Sequence, residues 1–341
     1  MREDRFRNKI IWFSFAFSLF VVWVHSYNAE LYLGKTLAAV RVYRAEHWIG
    51  DVIGQIAVPG FFMISAYLFY RNFSWEKLTG KWNSRIKSVL VPFIVWNFLY
   101  YLGYVIASRL PWMTEVVGKG VIPFNLAAAV DAIINYTYNY VFWYLFQLIL
   151  LILLAPVLYA RLRGRMMGIV FQLIVWILLW TGTELPFLNT DALAYYAFAA
   201  YLAIHGKTLV EHGWTRRRGF LGAVLVASSA AVYWYGLSLA APVYFVLSRL
   251  CAVSGFWLLV PEEKLAPARS WMTYNFFLYA THFAVVRFIN KAGTWFFPAV
   301  PAVPLCLYLL MPVMVLGIST VAGSVLRRYV PAAWNVLNGG R

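Results

Sequence analysis

Residues 10–28 read IIWFSFAFSLFVVWVHSYN, a near-continuous apolar run with one ionisable side chain, His25, close to its far end. In a helix of about 3.6 residues per turn, positions 14, 18, 25 and 28 fall on one face. Ser14, Ser18, His25 and Asn28 would then form a single polar stripe on an otherwise greasy helix. Ionisable groups in hydrocarbon are costly and face a bundle interior or a water-filled cavity, which makes His25 a functional candidate by default.

Composition extends this reading to the whole chain. Of 341 residues, 62% are hydrophobic and only 12% charged, whereas soluble domains carry about 25% charged residues. A hydrocarbon core about 30 Å thick needs about 20 apolar residues per helix. Runs of that kind lie near 10–27, 51–70, 88–108, 140–160, 166–181, 191–206, 219–237, 241–261, 270–289 and 302–326. The expected fold is all-α: a polytopic membrane protein of about ten transmembrane helices, a single domain over 1–341 with no separate soluble domain.

A net charge of +16 would suggest nucleic acid in a soluble protein. Its location argues otherwise. With the amino terminus inside, most cations fall on inner segments: Arg2, Arg5, Arg7 and Lys9; the cluster over 71–87; Arg161, Arg163 and Arg165; Lys207 and Arg216, Arg217 and Arg218; Lys264 and Arg269; and Arg327, Arg328 and Arg341. That is the positive-inside pattern, with both termini cytoplasmic and a multi-pass protein of the cell membrane. A signal peptide is the competing reading of the first run, but no small-x-small cleavage site follows in HSYNAELYLG. Cys251 and Cys306 lie in apolar runs and read as small buried hydrophobes.

Between the runs, 29–50 reads as an outer loop, and 71–92 as a basic inner segment expected to lie on the membrane surface. The segment from Leu110 to Asn139 is long for a structureless loop, so part of it, around FNLAAAVDAII, should be a short or re-entrant helix. Trp143 and Gln147 share a face of the fourth run. In the ninth, Asn275, Tyr279 and His282 are spaced i, i+4, i+7, a second polar stripe ending in histidine. At about 1.5 Å per residue, His25, His282 and Arg249 lie at similar depths, roughly 18–22 Å from the inner surface. Three ionisable side chains at one depth on three helices suggest a shared polar pocket.

Six stretches, in order, resemble the acyltransferase type 3 family. VVWVHSYN is similar to its first helix ending in histidine, and FFMISAYLFY to its FF-x-x-S-G-[YF]-L-[FY] element, with Ala66 where glycine is usual. RIKSVLVP resembles its basic stretch before a proline, and FWYLFQLILLILLAPVL its WF-L…P helix. YNFFLYATH looks like its S-F-x-[IL]-Y-x-x-H helix, and the closing WNVLNGGR like its L-T-G-G-R tail. The resemblance implies ten-helix proteins that move acyl groups from a cytosolic donor to carbohydrates. The family histidine maps onto His25. The arginine expected before it, with ten residues between the two, has no counterpart, because Ser14 stands in that place; Ile11 stands where an aspartate is common, and Val141 where a histidine is common.

On this resemblance the activity would be O-acyl transfer, acetyl foremost, from acyl-CoA to a hydroxyl of an extracytoplasmic or lipid-linked carbohydrate. An imidazole with an ordinary pKa near about 6.5 suits the base that takes the hydroxyl proton, and a covalent acyl-histidine route stays open beside it. His25, Arg249 and His282 are the catalytic candidates. Asn28, Ser65, Trp143, Gln147, Asn275 and Tyr279 are candidates for the acceptor, and Arg85 and Lys87 for the phosphates of acetyl-CoA or another acyl-CoA. Expected partners are the thioester, a cell-surface glycan, membrane lipid and other envelope-glycan enzymes, with no nucleic acid. No metal-ligand spacing, phosphate-cradling glycine loop or G-x-S-x-G elbow occurs, so no metal is expected. The alternative, prompted by Ser14, is a polysaccharide exporter or accessory subunit on the same fold that has lost acyl transfer.

Overall fold

The computed structural model describes residues 1–113 and 117–340. Arg341 of the closing motif, and Thr114, Glu115 and Val116 of the long outer segment, lie outside the described residues. No strand occurs among the described residues. The helices run α1 Glu3–Val24, α2 Ala29–Leu33, α3 Leu37–Val52, α4 Ala57–Tyr70, α5 Leu78–Arg85, α6 Val91–Ala107, α7 Leu126–Ile134 and α8 Trp143–Leu153. They continue as α9 Ala155–Leu162, α10 Arg165–Thr181, α11 Thr190–His205, α12 Lys207–Glu211, α13 Arg216–Leu239, α14 Pro242–Leu259, α15 Asn275–Phe296, α16 Ala302–Tyr329 and α17 Pro331–Leu337.

The fold is all-α and multi-pass. Six helical runs are long and apolar enough to cross a membrane: Glu3–Leu33, Leu37–Tyr70, Trp75–Ala107, Arg216–Leu239, Pro242–Leu259 and Ala302–Tyr329. A seventh is reached if Tyr140–Leu153 and Ala155–Leu162 count as one span. This is fewer than the ten apolar runs of the sequence. Helix α10 is apolar but only 17 residues long, α11 has 16, and α15 carries His282, Arg287, Asn290 and Lys291 along its length.

One stretch differs from its sequence reading, and a second gains detail. Residues 37–52 are helix, not outer loop: Thr36 caps α3 by accepting the Ala39 N–H at 3.1 Å, and Ala39, Val42, Glu46 and Gly50 make its buried stripe. The basic stretch 71–92 is also largely helical. From Trp75 it runs through α5 and a π-helical turn, Ile86–Leu90, into α6. The fourth apolar run breaks at Leu154. Pro156 has no N–H to give the Ile152 carbonyl four residues back, and the Trp82 indole donates to that oxygen instead, at 2.9 Å.

The chain divides into two compact units, residues 1–78 with 154–321, and 79–153 with 322–341. In the second unit, α6 and α7 enclose Tyr101, Val105, Val117, Ile122 and Ala132. Helix α7 realises the short helix expected in FNLAAAVDAII, with Asn125 as its N-cap. The tail helix α17 packs on α6, and the Trp96 indole donates to the Leu337 carbonyl at 2.9 Å. Gly339 follows at φ +68, and a Cβ there would lie 2.7 Å from the Ser88 carbonyl oxygen. Both facts demand glycine at that position of the tail.

In the first unit α1 packs against α4 and α15, and α4 against α11. Helices α13 and α14 form a tight hairpin. At Gly222 a Cβ would stand 2.6 Å from the Leu259 nitrogen and 2.7 Å from the Gly255 oxygen, so the two backbones touch there. Further along the hairpin, the Ser248 hydroxyl donates to the Ser229 carbonyl at 2.9 Å. Of the two thiols, Cys251 is half-buried, whereas Cys306 is exposed, not the buried hydrophobe its sequence context suggested.

An ion cluster ties α1, α4 and α12. Arg71 donates to both carboxylate oxygens of Glu211, at 2.7 Å each, and to both of Glu3, at 3.0 and 2.7 Å. The Tyr67 hydroxyl donates to Glu211 at 2.7 Å. Burial pushes the Glu211 carboxyl upward, but the hydrogen bonds from Arg71 and Tyr67 outweigh it and hold its pKa below the ordinary value. The same carboxylates raise the pKa of Arg71.

Two outcomes follow for stability. Gly222→Ala should lower it by about 1–3 kcal/mol in detergent, because the new methyl meets backbone. Gly317→Ala on α16, where a Cβ meets nothing within 4 Å, should leave it unchanged or raise it slightly. Thermal unfolding of the two variants side by side measures the difference. Because the folded pKa of Glu211 is depressed, its contribution is present above the unfolded value of about 4.3 and is lost as pH falls through the folded one. Glu211→Gln should therefore destabilise at neutral pH by about 2 kcal/mol. It should also flatten the acid limb of a stability-against-pH profile.

Candidate functional site

The site forms where α1 ends. The helix closes in a tightened turn, with the His25 N–H donating to Val22 O and the Ser26 N–H to Trp23 O, both at 3.1 Å. Asn28 therefore lies beyond the helix, as the residue before α2, and does not extend the Ser14–Ser18–His25 face. Ser14 and Ser18 are buried within α1, where the Ser18 hydroxyl bonds back to the Ser14 carbonyl at 2.9 Å. Val22 packs with Leu278 and Val286 of α15 and with Met311 and Val315 of α16. His282 sits between those two α15 contacts, four residues from each, so this apolar lock sets its place beside α1.

The result is an imidazole pair. The rings of His25 and His282 have centroids 5.3 Å apart, tilted by 45°. Phe283 stands edge-on to His25 at 5.9 Å, and Tyr279 lies 5.7 Å from His282. His282 is fully buried and His25 half-buried. The His282 Nδ1 is hydrogen-bonded to the Tyr279 carbonyl. A carbonyl only accepts, so Nδ1 carries the proton, and the neutral ring keeps its lone pair on Nε2. That Nε2 is buried with no hydrogen-bond partner among the described residues.

A second polar layer adjoins the pair. Asn28 donates to the Asn290 side chain at 3.0 Å, and the Tyr32 hydroxyl to the Asn290 carbonyl at 3.2 Å. The fully buried Glu46 carboxylate accepts the backbone N–H groups of Asn28 and Ala29 at 3.3–3.4 Å. Nearby, Asp51 accepts from Tyr27 at 3.1 Å and pairs with His47 at 3.0 Å, while the Tyr27 and His47 rings stack at 4.0 Å. Glu46 and Asn290 were not singled out from the sequence. The signals were present: Glu46 shares the small-residue stripe of α3, and Asn290 follows His282 and Val286 at four-residue steps.

The other candidates fall elsewhere. Arg249 on α14 interacts electrostatically with Asp191 and Tyr195 of α11 and with Tyr233 of α13, not with the two histidines. The single pocket expected for the three ionisable groups thus reduces to the histidine pair. Tyr279 is buried beside His282, and half-buried Asn275 opens the same helix. Ser65 is half-buried on α4. Trp143, Gln147, Arg85 and Lys87 belong to the second unit: Gln147 is buried in α8, Trp143 begins that helix, Arg85 ends α5, and Lys87 is exposed in the π-helical turn. Among the described residues no group of three His, Cys, Asp or Glu side chains is placed to hold a metal ion.

This architecture defines a multi-pass helical membrane protein with an imidazole pair inside its bundle. The family model described as the acyltransferase domain matches residues 10–326, and the chain belongs to that family. It is a membrane acyltransferase. No curated protein and no solved structure matches the chain.

Removing the Glu46 carboxylate leaves two buried N–H groups without their acceptor. Glu46→Ala should lower stability by about 2 kcal/mol, measured as thermal or denaturant unfolding in detergent. An unchanged midpoint would mean that water replaces the carboxylate there.

Proposed function

We propose that the protein passes an acyl group from cytosolic acyl-CoA to a hydroxyl of an extracytoplasmic or lipid-linked carbohydrate, with His25 as general base. The observation that carries this reading is the half-buried His25 ring, 5.3 Å from a second imidazole whose tautomer is fixed. His25 takes the acceptor's hydroxyl proton as that oxygen attacks the thioester carbonyl. The C–O bond forms, the C–S bond breaks, and the proton passes from the imidazolium to the departing thiolate. His282 positions the pair and offers an acceptor at Nε2. A backbone amide is the proposed support for the charge on the carbonyl oxygen, since Arg249 is engaged with Asp191 and Tyr195. Asn28, Asn275 and Tyr279 are proposed acceptor contacts, and Arg85 and Lys87 are proposed for the donor's phosphates.

One observation favours a second reading, export of a surface polysaccharide without acyl transfer. Ser14, buried on α1, stands where the resemblance places an arginine. The two readings separate in one experiment. Purified protein in proteoliposomes is given acyl-CoA and a glycan acceptor, and thioester loss is followed together with glycan movement. Acyl transfer predicts donor consumption that needs the acceptor and falls about 10²–10⁴-fold in His25→Ala with expression unchanged. Full activity in that variant would falsify the role of His25. Glycan movement without any donor consumption would instead establish the exporter.

A further inference from the structure

Arg249 carries its charge inside the first unit with its donors unused. The Nε is buried, and among the described residues the guanidinium makes no hydrogen bond and no ion pair. Arg71, by contrast, is held by Glu3 and Glu211. Beside Arg249 stands Tyr195, 3% exposed, whose hydroxyl also lacks a hydrogen-bond partner among the described residues. The half-buried Tyr233 lies within electrostatic reach of the same cation. Counted from Thr190, Leu239 and Pro242, the ends of α11, α13 and α14, the three side chains sit about 8–11 Å from one end of the bundle.

Asp191 is within electrostatic reach of Arg249 but does not pair with it. It stands in the first turn of α11, where a helix N-terminus supports a carboxylate by itself. A guanidinium has only donors, and the phenol beside it can donate, so the group that completes the site is an acceptor. An unpaired cation in hydrocarbon surroundings is costly, and a charged acceptor removes that cost most fully. The site suits a single negative charge. With Asp191 near Arg249, and Asp51 near Tyr233, nothing there offsets the second charge of a phosphate monoester or a pyrophosphate. The flat fork of Nε and Nη matches the two oxygens of a carboxylate. The site is also close to the histidines in the fold. The short turn Gly54–Ile56 packs against both α1 and α14. A Cβ on Gly54 would lie 2.6 Å from Val24, the neighbour of His25, so one turn of chain separates that end of α1 from α14.

We infer that Arg249 and Tyr195 bind the carboxylate of an acidic sugar unit in the acceptor glycan, a hydroxyl of which reaches His25. That the carboxylate belongs to the acceptor rests on the acyl-transfer reading above. The carboxylate site itself rests on the two unpartnered side chains. Arg249 is then a residue of substrate choice, not of chemistry at the thioester carbonyl.

Binding to the full-length protein in detergent, with no acyl donor present, tests the inference. Galacturonate, glucuronate and N-acetylneuraminate are each titrated beside their methyl esters, which keep the sugar and lose the charge. Galactose 1-phosphate is the phosphate comparator. An acid bound at least about tenfold more tightly than its ester supports the inference, provided Tyr195→Phe weakens that preference about three- to tenfold and Arg249→Met abolishes it. Equal binding of acid and ester in all three pairs overturns it. So does the absence of binding by any acid, tighter binding of galactose 1-phosphate than of the acids, or a preference that survives Arg249→Met. Should Arg249→Met fail to fold, the acid and ester on wild type, together with Tyr195→Phe, decide the matter alone. Thioester consumption is read separately. Its absence beside an intact acid preference overturns only the acyl-transfer reading, and its presence without that preference overturns only this inference.

Discussion

A polar group on a helix in hydrocarbon has only the rest of the protein to satisfy it, and that constraint shapes this chain more than any single contact. The Ile152 carbonyl released by Pro156 is taken by the Trp82 indole. The unpaired N–H groups at the buried start of α2 are met by the carboxylate of Glu46. Asn28 donates to the Asn290 side chain, which donates in turn to the Ser26 carbonyl. Against this background the unpartnered atoms stand out. His282 Nε2, Arg249 Nε and Ser254 Oγ are each buried without a hydrogen-bond partner among the described residues. The first belongs to the imidazole pair, where a ligand would supply what the protein does not.

Much of this was legible in the sequence. Long apolar runs fix where helices form because hydrocarbon allows little else, so α1, α10, α11, α13, α14, α15 and α16 fall close to their expected ranges. Helix α3 was not legible in the same way. Its mean polarity is that of a loop, and only the cap at Thr36 and the stripe of Ala39, Val42, Glu46 and Gly50 mark it as helix. The π-helical turn and the break at Leu154 depend on which side chain takes a freed carbonyl, which a linear pattern does not encode.

The candidate site was partly legible for the same reason. His25 and His282 stand out in the sequence as isolated imidazoles at one depth, and depth along a helix follows from residue count alone. Azimuth does not: whether two helices turn those faces toward each other depends on packing. The lock of Val22 with Leu278, Val286, Met311 and Val315 sets it for the histidines. Arg249 satisfied the depth criterion equally well. It sits on α14, whose closest partner is α13, and it interacts electrostatically with Asp191 on α11. A cation with a carboxylate in reach is expected to stay with it, because separating the two in a low-dielectric interior leaves both uncompensated.

That distinction bears on the chemistry. A base for a hydroxyl must be neutral before it acts and charged after, so its surroundings have to tolerate both states. A permanent cation beside His25 would oppose the charged one. A second neutral imidazole does not, and the bond from Nδ1 of His282 to the Tyr279 carbonyl leaves its free nitrogen able only to accept. In the proposed reaction the positive charge that would form on His25 could be shared through a hydrogen bond with its neighbour without any guanidinium. In this reading the serine at position 14, eleven residues and roughly 16 Å before His25 along α1, withdraws an electrostatic support that the resemblance would place there. In the proposed reaction the burden of steadying the carbonyl oxygen would fall on backbone dipoles in its place.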